Sequence, residues 1–273
     1  MILDIRHRTT YSYGSEVFVE PHHLYFYPAH RNYLSVKSFD IKLSPAPSGL
    51  AFRVDAENNA FHQCWFNQEI NQMSIEVHMQ VATEELNPFN FLVETEPKID
   101  HHQALEIFLK GDKLPESIRS WVRNIEQLSG GNPVTFLTFL NKEIQSNWKH
   151  DSRYEPTLLD PSACFEAKNG SCRDLSWMLI QMLRNAHVPA RFVSGYSYNP
   201  ELGNGHELHA WVEAWLPGAG WIGLDPSAGI LATDHYVPIA VSHLPENTFP
   251  VQGSYRGSTS SELEFEVVIQ QIS

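Results

Sequence analysis

The chain has 273 residues, 42% of them hydrophobic and 12% aromatic, enough to bury one large core or two smaller ones. Its formal net charge is −13 and it carries no basic tract, which excludes nucleic-acid binding as a primary role. No apolar run is long enough to span a bilayer, and the opening MILDIRHRTTYSYG puts Asp4, Arg6 and Arg8 where a signal peptide needs an apolar stretch, so a cytoplasmic protein without a membrane partner is expected.

Residues 1 to about 96 show strand alternation and no helical stripe. The clearest case is Met73, Ile75, Val77, Met79 and Val81, interleaved with Ser74, Glu76, His78 and Gln80. Shorter patterns occur at 2–13, 36–43 and 50–66, the last interrupted by the turn-like Glu57-Asn58-Asn59. These features predict an N-terminal antiparallel β domain, residues 1–96, and a second domain, residues 97–273, with the boundary between Asn87 and Asp100.

The second domain opens with two helices. Ile118, Trp121, Val122, Ile125 and Leu128 form a stripe closed by Gly130-Gly131. Phe136, Leu137, Leu140, Ile144 and Trp148 form another behind an Asn132 cap and Pro133. A polar connection, 149–169, follows and reads as a loop able to wall a cleft.

The stretch NGSCRDLSWMLIQMLRNAHVPAR, 169–191, stands out. Leu175, Met178, Leu179, Met182, Leu183 and Ala186 keep helical spacing, and Ser171 with Asp174 makes a capping box. Cys172 then occupies the first helical turn, where unpaired backbone N–H groups and the helix dipole favour a thiolate over a thiol. The other cysteines, Cys64 and Cys164, read as small buried hydrophobes. An odd, irregularly spaced set of three fits reduced thiols better than a disulfide framework.

Beyond Pro189 the chain turns to strands. His209, Trp211, Glu213 and Trp215 share one face of a strand and Ala210, Val212 and Ala214 the other; PGAG turns the chain, and a second strand ends at Asp225. The hairpin brings His209 and Asp225 to one open end, in a register the sequence leaves open. The tail alternates Leu263, Phe265, Val267 and Ile269 with Glu262, Glu264 and Glu266, a final strand.

Cys172, His209 and Asp225 are the residue types of a thiol nucleophile, its base and the group that orients the base. An oxyanion hole would need the Cys172 backbone N–H and a side chain from upstream, with Asn147, Trp148 and Tyr154 as candidates. A rival constellation, zinc held by Cys172, His206 and His209, lacks the helix and spacing of an HExxH site. No metal and no cofactor is expected.

The segments GSCRDLSWMLIQMLRNAHVPARFVSGY and HAWVEAWLPGAGWIGLDPS resemble the core of the transglutaminase-like superfamily, in its bacterial cysteine-protease-like branch. DIRHRTTYSYGSEV resembles the start of the β domain that precedes that core, and DHYVPIAVSHLPENTFPVQGSYRG its post-core segment, although SHLPEN replaces a GRDY-like run. Ser171 stands where an apolar residue is expected and Arg173 where glutamine is common. The resemblance implies an α+β fold: an N-terminal antiparallel β domain, then a papain-like core with its triad at Cys172, His209 and Asp225. It implies a cysteine-dependent amide or peptide hydrolase acting through a thioester. The alternatives are acyl transfer from glutamine to an amine and a non-catalytic peptide-binding module with a relic site. A peptide or protein substrate is the expected partner; oligomeric state is not legible.

Overall fold

The computed structural model describes residues 1–94, 101–151, 153, 157–202 and 206–272. Its architecture is α+β, as expected. The first strand, Ile2–Val19, runs antiparallel to Ile70–Thr83 on one side and to Ser261–Gln271 on the other. Leu34–Ser44 pairs with the far side of Ile70–Thr83. The alternation read at 73–81 is obeyed: Met73, Ile75, Val77, Met79 and Val81 are all buried, while Glu76 and His78 face solvent.

The terminal strand therefore belongs, by its hydrogen bonding, to the sheet that contains the first strand. Eleven successive partners join Leu3–Tyr13 to Gln271–Ser261. A second, four-stranded sheet includes His22–Leu24, Gly49–Val54 and Ala60–Trp65. Leu24, Phe26 and Cys64 from this region share one apolar cluster with Leu3, Ile5, Met73 and Ile75.

Two helices follow, Glu116–Leu128 and Pro133–Asn147. Asn132 caps the second by accepting from the Thr135 N–H at 2.9 Å, and Pro133 costs nothing at a turn whose N–H groups have no intrahelical partner. The connection read as a loop contains a further helix, Pro161–Ala167, capped by Asp160 and buried at Cys164. Its Asp-Pro start is a helix signal, but seven residues are too few to show periodicity.

The cysteine helix, Cys172–Asn185, was expected to bury one stripe. It is instead central: Asp174, Ser176, Ile180, Gln181 and Arg184 are buried along with Leu175, Met178, Leu179, Met182 and Leu183. Burial of polar groups on its far side is made tolerable by partners. The Arg184 guanidinium donates to the carbonyls of Ala190, Lys110 and His243 at 2.7–3.0 Å.

Beneath that helix lies a five-stranded antiparallel sheet, including Ala190–Ser197, Leu208–Leu216, Gly220–Asp225 and Tyr236–Ser242. Ala210, Val212, Ala214, Ile222 and Leu224 pack with the helices. Tyr196, Val237 and Ile239 of the same sheet join the apolar cluster of the N-terminal region. A buried ion triad adds to this contact: Glu213 accepts from Arg31 at 2.5 Å and from Arg191 at 2.7 Å. No helix among the described residues is long and apolar enough to cross a membrane.

Candidate active site

The capping box predicted from Ser171 and Asp174 forms in both directions. Asp174 Oδ2 accepts from the Ser171 N–H at 2.9 Å and the Ser171 hydroxyl accepts from the Asp174 N–H at 3.4 Å. Asp174 does more than cap. Its carboxylate also accepts two hydrogen bonds from Arg153, at 2.9 and 2.8 Å, and one from the Leu159 N–H at 2.8 Å. Burial alone would raise its pKa, yet these donors hold it below the ordinary carboxylate value. A charged cap thus fixes the turn that begins with Cys172.

The histidine and aspartate strands pair Val212 with Leu224 and Leu216 with Gly220, the register that the sequence left open. Extending it sets Asp225 opposite Trp211, so the side chain of His209, two residues along on the same face, lies diagonally within reach. His209 Nε2 meets Asp225 Oδ2 at 2.6 Å. Tyr236 donates its hydroxyl hydrogen to the same oxygen at 2.8 Å. Oδ1 accepts from the Ser227 hydroxyl at 2.6 Å and from the N–H groups of Ser227 and Ala228 at 3.0 and 3.2 Å. With every partner a donor, the carboxylate is held ionised, its pKa well below the usual range although burial pushes the other way.

An ionised Asp225 requires His209 Nε2 to carry a proton, which leaves Nδ1 for Cys172. Burial would lower the imidazole pKa; the charge and hydrogen bond of Asp225, joined by the Cys172 sulfur, raise it well above the usual value. Burial would likewise raise the Cys172 thiol, but hydrogen bonds from His150 and His209, the charge of His209 and a backbone hydrogen bond from Ala210 bring it down to about 6. Near neutral pH the pair is a thiolate and an imidazolium.

The structure therefore brings Cys172, His209 and Asp225 together and leaves His206 apart. His206 Nε2 faces the Asn199 backbone, its ring stacks on Tyr198, and its chain bridges to Val267. Two of the expected oxyanion donors are engaged elsewhere. The Trp148 indole donates to the Cys164 carbonyl at 3.0 Å, and the Asn147 amide donates to the Glu143 carbonyl at 2.8 Å. Tyr154 lies outside the described residues. His150, for which the sequence carries no signal, lines the same cavity as the sulfur and helps lower its pKa.

These groups line a cavity of about 1250 Å³. One wall comes from the N-terminal sheet, through Tyr11, Leu263 and Phe265 of the first and last strands. That volume exceeds the ~300–1,000 Å³ typical of small-molecule pockets and leaves room for a polymer segment.

Residues 120–226, which contain Cys172, His209 and Asp225, match the family described as the transglutaminase-like superfamily, and residues 3–82 match the bacterial transglutaminase-like N-terminal region. A candidate cysteine protease of solved structure from Cytophaga hutchinsonii covers 100% of this chain and 92% of its own with a TM-score of 0.75 at 17% identity, a likeness of fold. A Mycobacterium leprae protein, ML0607, is 30% identical over 108 residues, 38% of either chain. A protein-glutamine gamma-glutamyltransferase from Pseudomonas aeruginosa is 37% identical over 70 residues, 23% of this chain and 10% of that one. The matches span well under half the length of these two relatives.

Proposed function

For a chain that carries a transglutaminase-like core behind a bacterial transglutaminase-like N-terminal region, we propose the activity of a cysteine-dependent amide or peptide hydrolase. The observation that carries this reading is His209, hydrogen-bonded to Asp225 at 2.6 Å and sharing one cavity with the Cys172 thiol at a charged helix cap. The Cys172 thiolate attacks the amide carbonyl carbon and the carbon–oxygen π pair moves to oxygen. Collapse of that intermediate breaks the carbon–nitrogen bond, and His209 gives its proton to the departing amine. A thioester remains. His209, now neutral, takes a proton from water as it attacks, and the acid product leaves with the thiolate restored. Asp225 keeps the ring in one tautomer and stabilises its charged form throughout.

Water as the second nucleophile is favoured by access. Cys172 is only partly covered and His150 beside it is exposed, so the described residues leave the thioester open to water, where acyl transfer to an amine needs it dry. Transfer remains the second reading, on the strength of the local likeness to the Pseudomonas aeruginosa glutamyltransferase. The experiment is incubation with glutamine-containing peptides, with and without a primary amine, followed by mass spectrometry. Cleavage or deamidation without the amine is the expected result; product formed only with the amine overturns hydrolysis in favour of transfer. A thiol probe that labels wild type no faster than Cys172→Ala would overturn both and leave a peptide-binding module.

A further inference from the structure

Cys172 is met by two imidazoles. His150 lies at the end of the two-residue strand Lys149–His150, which runs parallel to Asn169–Gly170 and pairs His150 with Gly170. Flanking backbone bonds hold this register: the Lys149 N–H donates to the Lys168 carbonyl at 2.9 Å and the Asp151 N–H to the Gly170 carbonyl at 3.0 Å. The register sets His150 two residues upstream of the nucleophile's own position, lining the same cavity as Cys172 and His209, where ring and sulfur favour each other's charged forms. Both oxygens of Asp225 are taken by His209, Tyr236, Ser227 and Ala228, so the orienting carboxylate serves His209 and not His150.

We propose that His150 is a catalytic residue, the side-chain donor of the oxyanion hole, which also steadies the resting thiolate. This rests on the hydrolase reading of the same site. In the tetrahedral intermediate the oxyanion sits on the carbon bonded to Sγ, so a ring N–H that shares the cavity with Sγ, held by the strand paired beside the nucleophile, is placed to donate to that oxygen. The Cys172 backbone N–H, free of an intrahelical partner at the first helical position, supplies the other donor. His150 donates without releasing its proton; His209 alone moves one. The two imidazoles thus divide the work, one stabilising charge and one transferring a proton.

The charged groups around His150 leave it a donor. The Cys172 sulfur and, after it, Asp225 favour its protonated form, while burial and His209 oppose it. Lys149 and Asp151 beside it neutralise each other in an ion pair at 2.5 Å, and on the helix side Arg153 is paired with Asp174 at 2.8 Å. Arg173, which donates to the Arg153 carbonyl at 3.2 Å, adds a further cation on that side.

The test is hydrolysis and iodoacetamide alkylation of wild type, His150→Ala and His150→Gln, with folding of each checked by circular dichroism. For His150→Ala the expected loss in kcat is on the order of 10²–10³ with KM nearly unchanged. His150→Gln, whose amide N–H can donate, should recover much of it. The alkylation midpoint of Cys172 should rise in the alanine variant. Turnover of His150→Ala within about threefold of wild type, too small for a lost oxyanion donor, overturns the proposal. If wild type shows no Cys172-dependent hydrolysis, the hydrolase reading falls and the oxyanion role with it. Contact with the thiolate is then judged by alkylation alone, and an unshifted midpoint in His150→Ala overturns that as well.

Discussion

Cys164 and Cys172 flank the same two-residue strand, Asn169–Gly170, and their surroundings drive the two thiols in opposite directions. Cys164 is wholly buried in the helix Pro161–Ala167; its sulfur faces the Asn169 carbonyl at 3.5 Å, and burial with the nearby Asp174 charge pushes its pKa up to about 12. Cys172, though only partly covered, is also pushed up by desolvation, yet two imidazoles and a backbone donor bring it down to about 6. Desolvation pushes both thiols in the same direction. What separates them is the presence of donors aimed at the sulfur, so reactivity here is a property of the surrounding hydrogen bonds and not of shelter from water.

The contrast is broken most deeply at Asp225. In Asp225→Asn the negative charge that raises His209 is lost, the imidazolium is less favoured, and Cys172 loses part of what lowers its own pKa. Turnover on a peptide amide should fall by about 10²–10⁴, with the acid limb of the rate profile moving to higher pH, as stopped assays across pH 5–9 would read. Turnover unchanged in both respects would mean that Asp225 orients nothing.

Asp174 is the next largest effect, and it acts on the fold. Removing this buried carboxylate in Asp174→Ala takes two hydrogen bonds from Arg153 and opens the cap that positions Cys172, which should cost about 3–5 kcal/mol in urea unfolding at pH 7. The sign with pH follows from its depressed folded-state pKa: its contribution is complete above the unfolded value near ~4 and is lost as pH falls through the lower folded one. Wild type and variant should therefore converge in stability in acid.

How much of this was legible depended on the range of the interaction. The Ser171 and Asp174 box, the Asn132 cap and the 73–81 alternation are local, and each was visible in a window of a few residues. The meeting of His209 with Asp225 was visible because one hairpin carries both. His150 was not, since its contact with Cys172 depends on a parallel bridge between two-residue strands 20 positions apart, 149 with 169 and 150 with 170, too short to leave a periodicity. Nor was the second duty of Asp174, because Arg153 reaches it from a segment with no regular pattern. The pairing of Ser261–Gln271 with Leu3–Tyr13 was hidden for another reason: alternation announces a strand but never its partner.

The two cysteines offer the most direct test. Native protein treated with iodoacetamide at a series of pH values, then digested and mapped by mass spectrometry, reports each thiol separately. The thiolate pairing described here predicts modification at Cys172 alone, its rate rising with a midpoint near pH 6, with Cys164 untouched until the protein unfolds. Equal labelling of Cys164 and Cys172, or a Cys172 rate that rises only near the ordinary thiol range at about pH 8.5, would contradict it.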